Sequence, residues 1–305
     1  MKEYGLVLEN ASLKELNTYK IECFAKYLVY VKDQESLVKL LKNIKLPYFI
    51  LGGGSNIILK DEFFNGIVIK LDNLKKINYE DDYVEVESGV NLNSFINDLL
   101  KKGFVNLGLL FGIPGSVGGA IMGNAGCYGK SIFDELISVK IIDDGKIKEI
   151  EKENIKYGYR YSEFKEKNIV IISAKFRLEK GNVEEIRNQI KMNLEKRINS
   201  QPLEYPNAGS VFKNPEGFSA GKLIEEAGLK GLKIGGAMIS EKHANFIINH
   251  DNAKALDIIE LIKIVKNKIK EINNIDLELE QIVISEKSVW NTQVFSFKWK
   301  NLLKK

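Results

Sequence analysis

The sequence predicts an α+β protein in which a large N-terminal domain precedes a smaller C-terminal one. Helical and strand-like segments alternate through the first two-thirds of the chain, and 305 residues suffice for about two domains of ~150 residues. Pro202 and Pro206 interrupt regular structure where this alternation ends. We therefore place one domain at 1–195, with two α/β subdomains at about 1–70 and 71–195, and a second, α+β domain at 196–305.

The composition is typical of a soluble globular protein, with 44% hydrophobic and 28% charged residues. Lys and Arg total 45 against 41 Asp and Glu, an excess too small to indicate nucleic-acid binding. Cys23 and Cys127 are far apart and form no CxxC pair, so neither a disulfide framework nor a metal site is predicted. The segment from Met1 to Asn10 lacks the apolar stretch of a signal peptide, and no run is long enough to span a membrane, so we expect a cytoplasmic protein.

The first subdomain is predicted from one helix and two short strands. Asp33 can cap a helix that carries Leu37, Leu40 and Leu41 on one face. The apolar runs at 48–51 and 57–59 predict strands on either side of a glycine turn.

The remaining elements follow from periodicity. Alternation at 83–87 predicts a half-buried strand, and Asn91 can cap a helix whose apolar residues recur at helical spacing. The glycine-rich stretch at 108–129 is predicted to be a loop. The later predicted elements are strands at 137–142, 146–150, 169–178, 245–249 and 276–285, and helices at 182–199, 219–227 and 252–272.

Two glycine-rich segments, Gly52–Asn56 and Gly112–Gly126, are candidates for binding a phosphate-bearing cofactor. Glycine lets backbone N–H groups converge on an anion, because no Cβ stands in the way. Ser55, Ser116 and Asn124 add hydroxyl and amide groups. A single such segment could be no more than a tight turn, but two in one domain favour a cofactor. Neither segment matches a P-loop or a Rossmann fingerprint.

Three further segments carry side chains suited to catalysis. Arg160 stands among tyrosines, where its planar guanidinium could bind a carboxylate with two hydrogen bonds. Ser210 follows Asn207-Ala208-Gly209 and is predicted to lie in a loop. Glu278 and Glu280 would share one face of a strand. Judged from the residues alone, these could also be a surface arginine, a turn serine and a solvated acidic face.

These segments carry a family resemblance. The strand–GGGSN–strand pattern at 48–59 and GIPGSVGGAIMGNAGCYG at 112–129 resemble the FAD-binding domain of vanillyl-alcohol-oxidase-type flavoproteins. With YGYRYS at 157–162, NAGSVFKNP at 207–215 and LELE at 277–280, the chain resembles the UDP-N-acetylenolpyruvoylglucosamine reductase family in its compact subtype. The resemblance covers about residues 15–284, and the chain departs from it at Gln281-Ile282, where the family usually has Val-Arg.

The resemblance implies a fold and a cofactor. The fold class would be an FAD-binding domain of the vanillyl-alcohol-oxidase (PCMH) type, with its two α/β subdomains, followed by a smaller α+β substrate-binding domain. FAD would be held without a covalent link, and Cys127 would be a small loop residue rather than an attachment point. The implied cofactor contacts are Gly52, Gly53, Gly54, Ser55, Asn56, Gly112, Pro114, Gly115, Ser116, Gly119, Ala120, Asn124, Ala125 and Gly126.

The resemblance also implies an activity, the NADPH-dependent reduction of UDP-N-acetylglucosamine enolpyruvate to UDP-N-acetylmuramate in peptidoglycan synthesis. Arg160 and Glu280 would stabilise an enolate and Ser210 would protonate it. The implied substrate contacts are Tyr157, Lys213 and Asn214. A flavin oxidase of the same superfamily and a non-catalytic UDP-sugar-binding protein are the alternatives. We expect a monomer that binds the UDP-sugar and NADPH, with neither nucleic acid nor membrane as a partner.

Overall fold

The computed structural model describes residues 1–286, and its N-terminal part is a four-stranded sheet. The sheet has the order β1-β2-β5-β3, with β1 antiparallel to β2 and the other neighbours parallel. The predicted helix is confirmed, and it begins where Asp33 Oδ1 accepts the Ser36 N–H at 2.7 Å. The elements are β1 (Gly5–Ser12), β2 (Phe24–Val31), α1 (Gln34–Asn43), β3 (Tyr48–Ile50), β4 (Ile57–Leu59) and β5 (Phe63–Lys70).

The middle of the chain forms a five-stranded antiparallel sheet with the order β11-β10-β14-β7-β6. The helix α2 buries all five of its predicted apolar residues against this sheet's core. The elements are β6 (Ile77–Tyr79), β7 (Tyr83–Glu87), α2 (Leu92–Lys101), α3 (Val117–Gly123), β8 (Gly126–Cys127), β9 (Lys130–Ser131), β10 (Leu136–Asp143), β11 (Lys146–Glu151), β12 (Tyr157–Gly158), β13 (Tyr161–Ser162), β14 (Ile169–Arg177) and α4 (Val183–Ser200).

The prediction of an uninterrupted loop at 108–129 is wrong, because α3 lies within it. Ser116 Oγ accepts the Gly119 N–H at 3.3 Å and caps this helix. Glycine disfavours helix, but burial of Val117, Ala120 and Ile121 against the core of the five-stranded sheet compensates.

The C-terminal part has a sheet with the order β15-β18-β17-β16, covered by two helices. The prediction that Ser210 lies in a loop is wrong, because it ends β15. The predicted strand at 276–285 is wrong in extent, because only Ile282–Ile284 forms one. The elements are β15 (Asn207–Ser210), α5 (Ala220–Glu226), β16 (Lys233–Ile234), β17 (Ala237–Ile239), β18 (Phe246–Asn249), α6 (Ala255–Asn273) and β19 (Ile282–Ile284).

The last strand returns the chain to the N-terminal part. β19 pairs in parallel with β4, directly after the first glycine segment. Tyr19, fully buried, packs into the core of the C-terminal sheet. The predicted domain boundary at 195/196 falls inside α4, and residues 287–305 of the predicted second domain lie outside the described residues. Within residues 1–286, no helix is long and apolar enough to cross a membrane.

Candidate active site

A cavity of about 720 Å³ lies where the three sheets meet. Both glycine segments line it, together with Arg160, Ser210 and Glu280. All the predicted cofactor contacts line it except Asn124. The predicted substrate contacts Tyr157, Lys213 and Asn214 are not among the lining residues.

The two glycine segments pack closely against each other. A Cβ on Gly53 would lie 2.7 Å from the Gly115 Cα, and one on Gly52 would lie 2.8 Å from Ser116 Oγ. Ser55 Oγ donates a hydrogen bond of 3.1 Å to the Pro114 carbonyl. The segments therefore form one continuous backbone surface, and glycine is what permits their close approach.

The second glycine segment is fixed from both sides. The Gly112 N–H donates to Asn93 Oδ1 at 2.6 Å, and Arg197 Nη1 donates to the Gly112 carbonyl at 2.6 Å. Arg197, near the end of α4, also lines the cavity. Sequence reasoning missed it, because an arginine on a helix of mostly polar surface gives no signal of its own.

The cavity fits a dinucleotide cofactor. Its volume lies within the ~300–1,000 Å³ usual for ligand pockets. Glycine backbone suits a diphosphate. Among residues 1–286, the buried Ser88 Oγ and Asn124 Oδ1 have no hydrogen-bond partner, and Ser88 lines the cavity. A buried polar atom of this kind costs free energy unless a ligand or water satisfies it.

Cys127 lines the same cavity as a thiol. Its Sγ lies 3.1 Å from the Leu109 carbonyl, to which it donates. Burial raises the pKa of Cys127, although Arg197 opposes the shift. A thiol held in its protonated form is a poor nucleophile, which is unfavourable for covalent attachment of a flavin.

Arg160 lies at the turn of the β12–β13 hairpin. Its φ is +54°, which is uncommon for a non-glycine residue, and the residue lines the cavity. Its Nε donates to Glu280 Oε1 at 2.7 Å, and the exposed side-chain fractions are 26% and 17%. Its carbonyl accepts a hydrogen bond of 2.8 Å from Lys165 Nζ.

Burial and the neighbouring charges shift the pKa values of Glu280 and Lys165. Burial raises the pKa of Glu280, although Arg160, Lys165 and Lys213 oppose the shift. Burial lowers the pKa of Lys165 to about 8, with Lys213 contributing. Sequence reasoning missed Lys165, and the only signal was its position shortly after Arg160, just beyond the YGYRYS motif. The site therefore contains a carboxyl group and an amine whose pKa values are both shifted in the direction of the neutral form.

The segment that directly follows Ser210 pairs through its backbone with the segment that carries Glu280. The Glu280 N–H donates to the Val211 carbonyl at 2.9 Å, and the next residue along from Val211, Phe212, forms a bridge with Leu279. Glu278, predicted beside Glu280, is instead exposed and pairs with Lys213 at 2.5 Å. Of the two glutamates Glu278 and Glu280, Glu280 is therefore the one that lines the cavity together with Ser210.

The other predicted site residues make contacts within the protein. The Tyr157 ring stacks on Phe133 at 4.5 Å between centroids, and Asn214 Oδ1 accepts the Ala220 N–H at 3.0 Å. Asn124 Nδ2 donates to the Gly158 carbonyl at 2.7 Å. Within residues 1–286, His, Cys, Asp and Glu form no cluster able to hold a metal ion.

Comparison with known proteins places this architecture in a family. A family model described as the FAD binding domain matches residues 25–151, which indicates FAD as the cofactor. The model for the UDP-N-acetylenolpyruvoylglucosamine reductase C-terminal domain matches residues 201–284. These matches confirm the predicted fold class.

Full-length relatives agree. UDP-N-acetylenolpyruvoylglucosamine reductase of Clostridium botulinum (strain Okra / Type B1) is 41% identical, covering 92% of this chain and 94% of its own. The reductase of Caldanaerobacter subterraneus is 38% identical, and the alignment covers 94% of this chain and 96% of the relative. The crystal structure of the reductase from Thermus caldophilus matches with a TM-score of 0.79 and 32% identity, over 92% of this chain and 98% of that one. The chain belongs to the UDP-N-acetylenolpyruvoylglucosamine reductase family.

Proposed function

We propose that this chain reduces UDP-N-acetylglucosamine enolpyruvate to UDP-N-acetylmuramate at the expense of NADPH, a step of peptidoglycan synthesis. One observation carries the proposal: the Arg160–Glu280 pair and Ser210 line the same cavity as both glycine segments. That arrangement brings a carboxylate-binding group and a proton donor to a cofactor site. The names of the relatives support the same activity.

FAD, when bound, supplies the hydride chemistry that links NADPH to the enolpyruvyl group. The joined glycine segments would hold its diphosphate, and the unpartnered Ser88 hydroxyl offers a further contact. Arg197 would keep the second segment in place. We propose that no covalent link forms, since burial raises the pKa of Cys127 and so disfavours the reactive thiolate.

Arg160 would bind the substrate carboxylate, because its Nε is engaged by Glu280 and, among residues 1–286, its terminal nitrogens have no hydrogen-bond partner. Reduction of an enol ether spreads negative charge into that carboxylate, so the interaction strengthens as the reaction proceeds. An ionised Glu280 would repel this charge. Burial raises the pKa of Glu280, which makes its protonation easier than that of an exposed carboxyl group, and a protonated Glu280 would donate a hydrogen bond instead.

Ser210 would protonate the carbon next to the reduced one. A serine hydroxyl is a weak acid, so it can donate only to a strong base such as an enolate. Its place beside Glu280, on the cavity wall, supports this role. The substrate contacts of Tyr157, Lys213 and Asn214, the two-domain division near residue 195, a monomeric state and a cytoplasmic location stay predictions.

The direct test is consumption of NADPH by the purified protein. We expect oxidation that requires UDP-N-acetylglucosamine enolpyruvate and continues without oxygen. Consumption of oxygen that requires a sugar or alcohol and no NADPH would support a flavin oxidase instead. A colourless protein that binds the UDP-sugar would support a binding protein.

Non-covalent binding of FAD is tested separately by acid precipitation of the yellow protein. We expect the colour to move into the supernatant. Colour that stays with the precipitate would contradict the proposal and implicate Cys127, which a Cys127→Ser variant would check.

A further inference from the structure

A buried glutamine links the two residues that we assign to the enolate step. Gln281, 3% exposed, directly follows Glu280 in the chain. Its Nε2 donates to the carbonyls of Ala208 and Gly209 at 3.1 and 3.2 Å, and its Oε1 accepts from the Tyr19 hydroxyl at 3.0 Å. Both carbonyls can only accept, so the orientation of the amide is determined by its partners.

The bonded carbonyls belong to an irregular part of β15. The pairing of β15 with β18 shifts register between Asn207 and Ser210, and Gly209 has a φ of +76°. This bulge is what brings Ser210 to the cavity wall, because an extra residue in one strand re-aims the next side chain. Without the two hydrogen bonds from Gln281, the Ala208 and Gly209 carbonyls within the bulge would have to find other partners or stay unsatisfied.

The other end of the amide is equally fixed. Tyr19 is fully buried, and burial raises its pKa, so its hydroxyl stays protonated and able to donate. The Tyr19 carbonyl accepts a hydrogen bond of 2.8 Å from Asn249 Nδ2 at the end of β18. The chain Tyr19–Gln281–β15 therefore spans from the N-terminal segment to the strand that carries Ser210.

We propose that Gln281 is a positioning residue that holds Ser210 at the distance from the substrate carbon needed for proton transfer. This inference rests on the proposed function, because it concerns the same proton. Gln281 does not touch the cavity; it acts through the Ala208 and Gly209 carbonyls. A misplacement of the donor by a fraction of an ångström slows proton transfer without affecting how NADPH reduces the flavin.

The test is a double-mutant cycle on the two half-reactions, followed by stopped-flow absorbance of the bound flavin. Gln281→Met keeps the volume and loses all three hydrogen bonds. We expect reoxidation by UDP-N-acetylglucosamine enolpyruvate to slow about ten-fold, while reduction by NADPH stays at the wild-type rate. In a Ser210→Ala background, Gln281→Met should cause no further slowing, because the group that it positions is gone. Equal slowing in both backgrounds would overturn the proposal.

Two further variants separate positioning from general stability. Tyr19→Phe deletes the bond to Gln281 Oε1 but leaves both bonds to β15, so we expect less slowing of reoxidation than in Gln281→Met; slowing equal to that of Gln281→Met would overturn the proposal. Gln281→Asn shortens the amide and should slow reoxidation in the same direction even where Gln281→Met folds poorly.

A measurement without turnover completes the test. Hydrogen–deuterium exchange at 207–212 should be faster in Gln281→Met than in Tyr19→Phe, and equal exchange would contradict the inference. The outcomes also distinguish the two proposals. If the substrate does not reoxidise the wild-type flavin, the proposed function fails. If it does so equally well in wild type and Gln281→Met, only the role of Gln281 fails.

Discussion

Single residues in this site are held in conformations that their neighbours impose. Arg160 has a positive φ, and such conformations persist where surrounding contacts over-determine them, often at functional sites. Glu280 and Lys165 supply those contacts, one on the side chain and one on the carbonyl. The sequence predicts Arg160 and Glu280 through their motifs. It does not predict Lys165 or Gln281, whose importance lies in contacts that only the folded chain creates.

At this scale we predict that Arg160→Lys retains the charge but loses the planar, two-pronged donor. Turnover should fall at least about ten-fold, equivalent to ~1.4 kcal/mol of transition-state stabilisation. Reduction of the flavin by NADPH alone should change less, because no enolate forms in that step. Steady-state and single-turnover rates measure both effects, with Arg187→Lys on the exposed face of α4 as the control. Unchanged turnover would remove Arg160 from the site.

The lowered pKa of Lys165 leads us to expect that kcat/KM for the UDP-sugar depends on pH. Its pKa of about 8 means that it is charged below this pH and neutral above it. An anionic substrate approaching Arg160 loses that nearby positive charge as the pH rises through about 8. We therefore expect kcat/KM for the UDP-sugar, which reports pKa values of the free enzyme, to fall on the alkaline side of this value.

Lys165→Arg should remove that alkaline fall, because arginine stays charged. Lys39→Arg, in an exposed ion pair on α1, serves as the control and should keep the wild-type profile. An alkaline limb that persists in Lys165→Arg would show that another group is responsible.

At the scale of elements, the predictable parts are those with strong periodicity or clear caps. α1 and α2 follow from their caps Asp33 and Asn91 and from apolar residues on one face. α3 was missed because its glycines are typical of loops, and its stability comes from tertiary burial instead. The extended segment before β19 pairs with the short stretch 211–213 through isolated hydrogen bonds and one bridge, and it does not form a continuous strand. The alternating pattern of residues 276–285 therefore predicted a strand longer than β19.

The contact between the glycine segments makes a prediction about cofactor binding. A methyl group at Gly53 would meet the Gly115 backbone at 2.7 Å, so Gly53→Ala must push the two segments apart. Overpacking of this kind costs about 1–3 kcal/mol, which would weaken FAD binding roughly ten- to a hundred-fold if it falls on the bound state. Flavin absorbance relative to protein measures the bound fraction.

The control for this prediction is Gly158→Ala. A Cβ there meets no atom within 4 Å, and its backbone has no positive φ. We expect Gly158→Ala to retain its flavin. Equal flavin content in Gly53→Ala would mean that the close approach of the segments is not needed for the cofactor.

On the scale of the whole molecule, the site exists because distant parts of the chain converge. β4 and β19 pair although they lie far apart in the chain, and this pairing brings Glu280 next to the first glycine segment. Sequence patterns predict each strand separately but contain no information on which strands will pair. The roles of Arg160, Ser210 and Glu280 were inferred from the family resemblance. The fold brings these three residues to one cavity, where they can act together.

The central claim, that this cavity reduces an enol ether and that Ser210 supplies the proton, is tested most directly by stopped-flow absorbance of the flavin in wild type and Ser210→Ala. The change deletes one hydroxyl that is not fully buried, so the fold should survive. We expect NADPH to bleach both proteins at similar rates. Reoxidation by UDP-N-acetylglucosamine enolpyruvate should be slower in Ser210→Ala by ~10²–10⁴-fold, the usual contribution of general-acid catalysis. Reoxidation at the wild-type rate, or slowing of the NADPH step alone, would contradict the account.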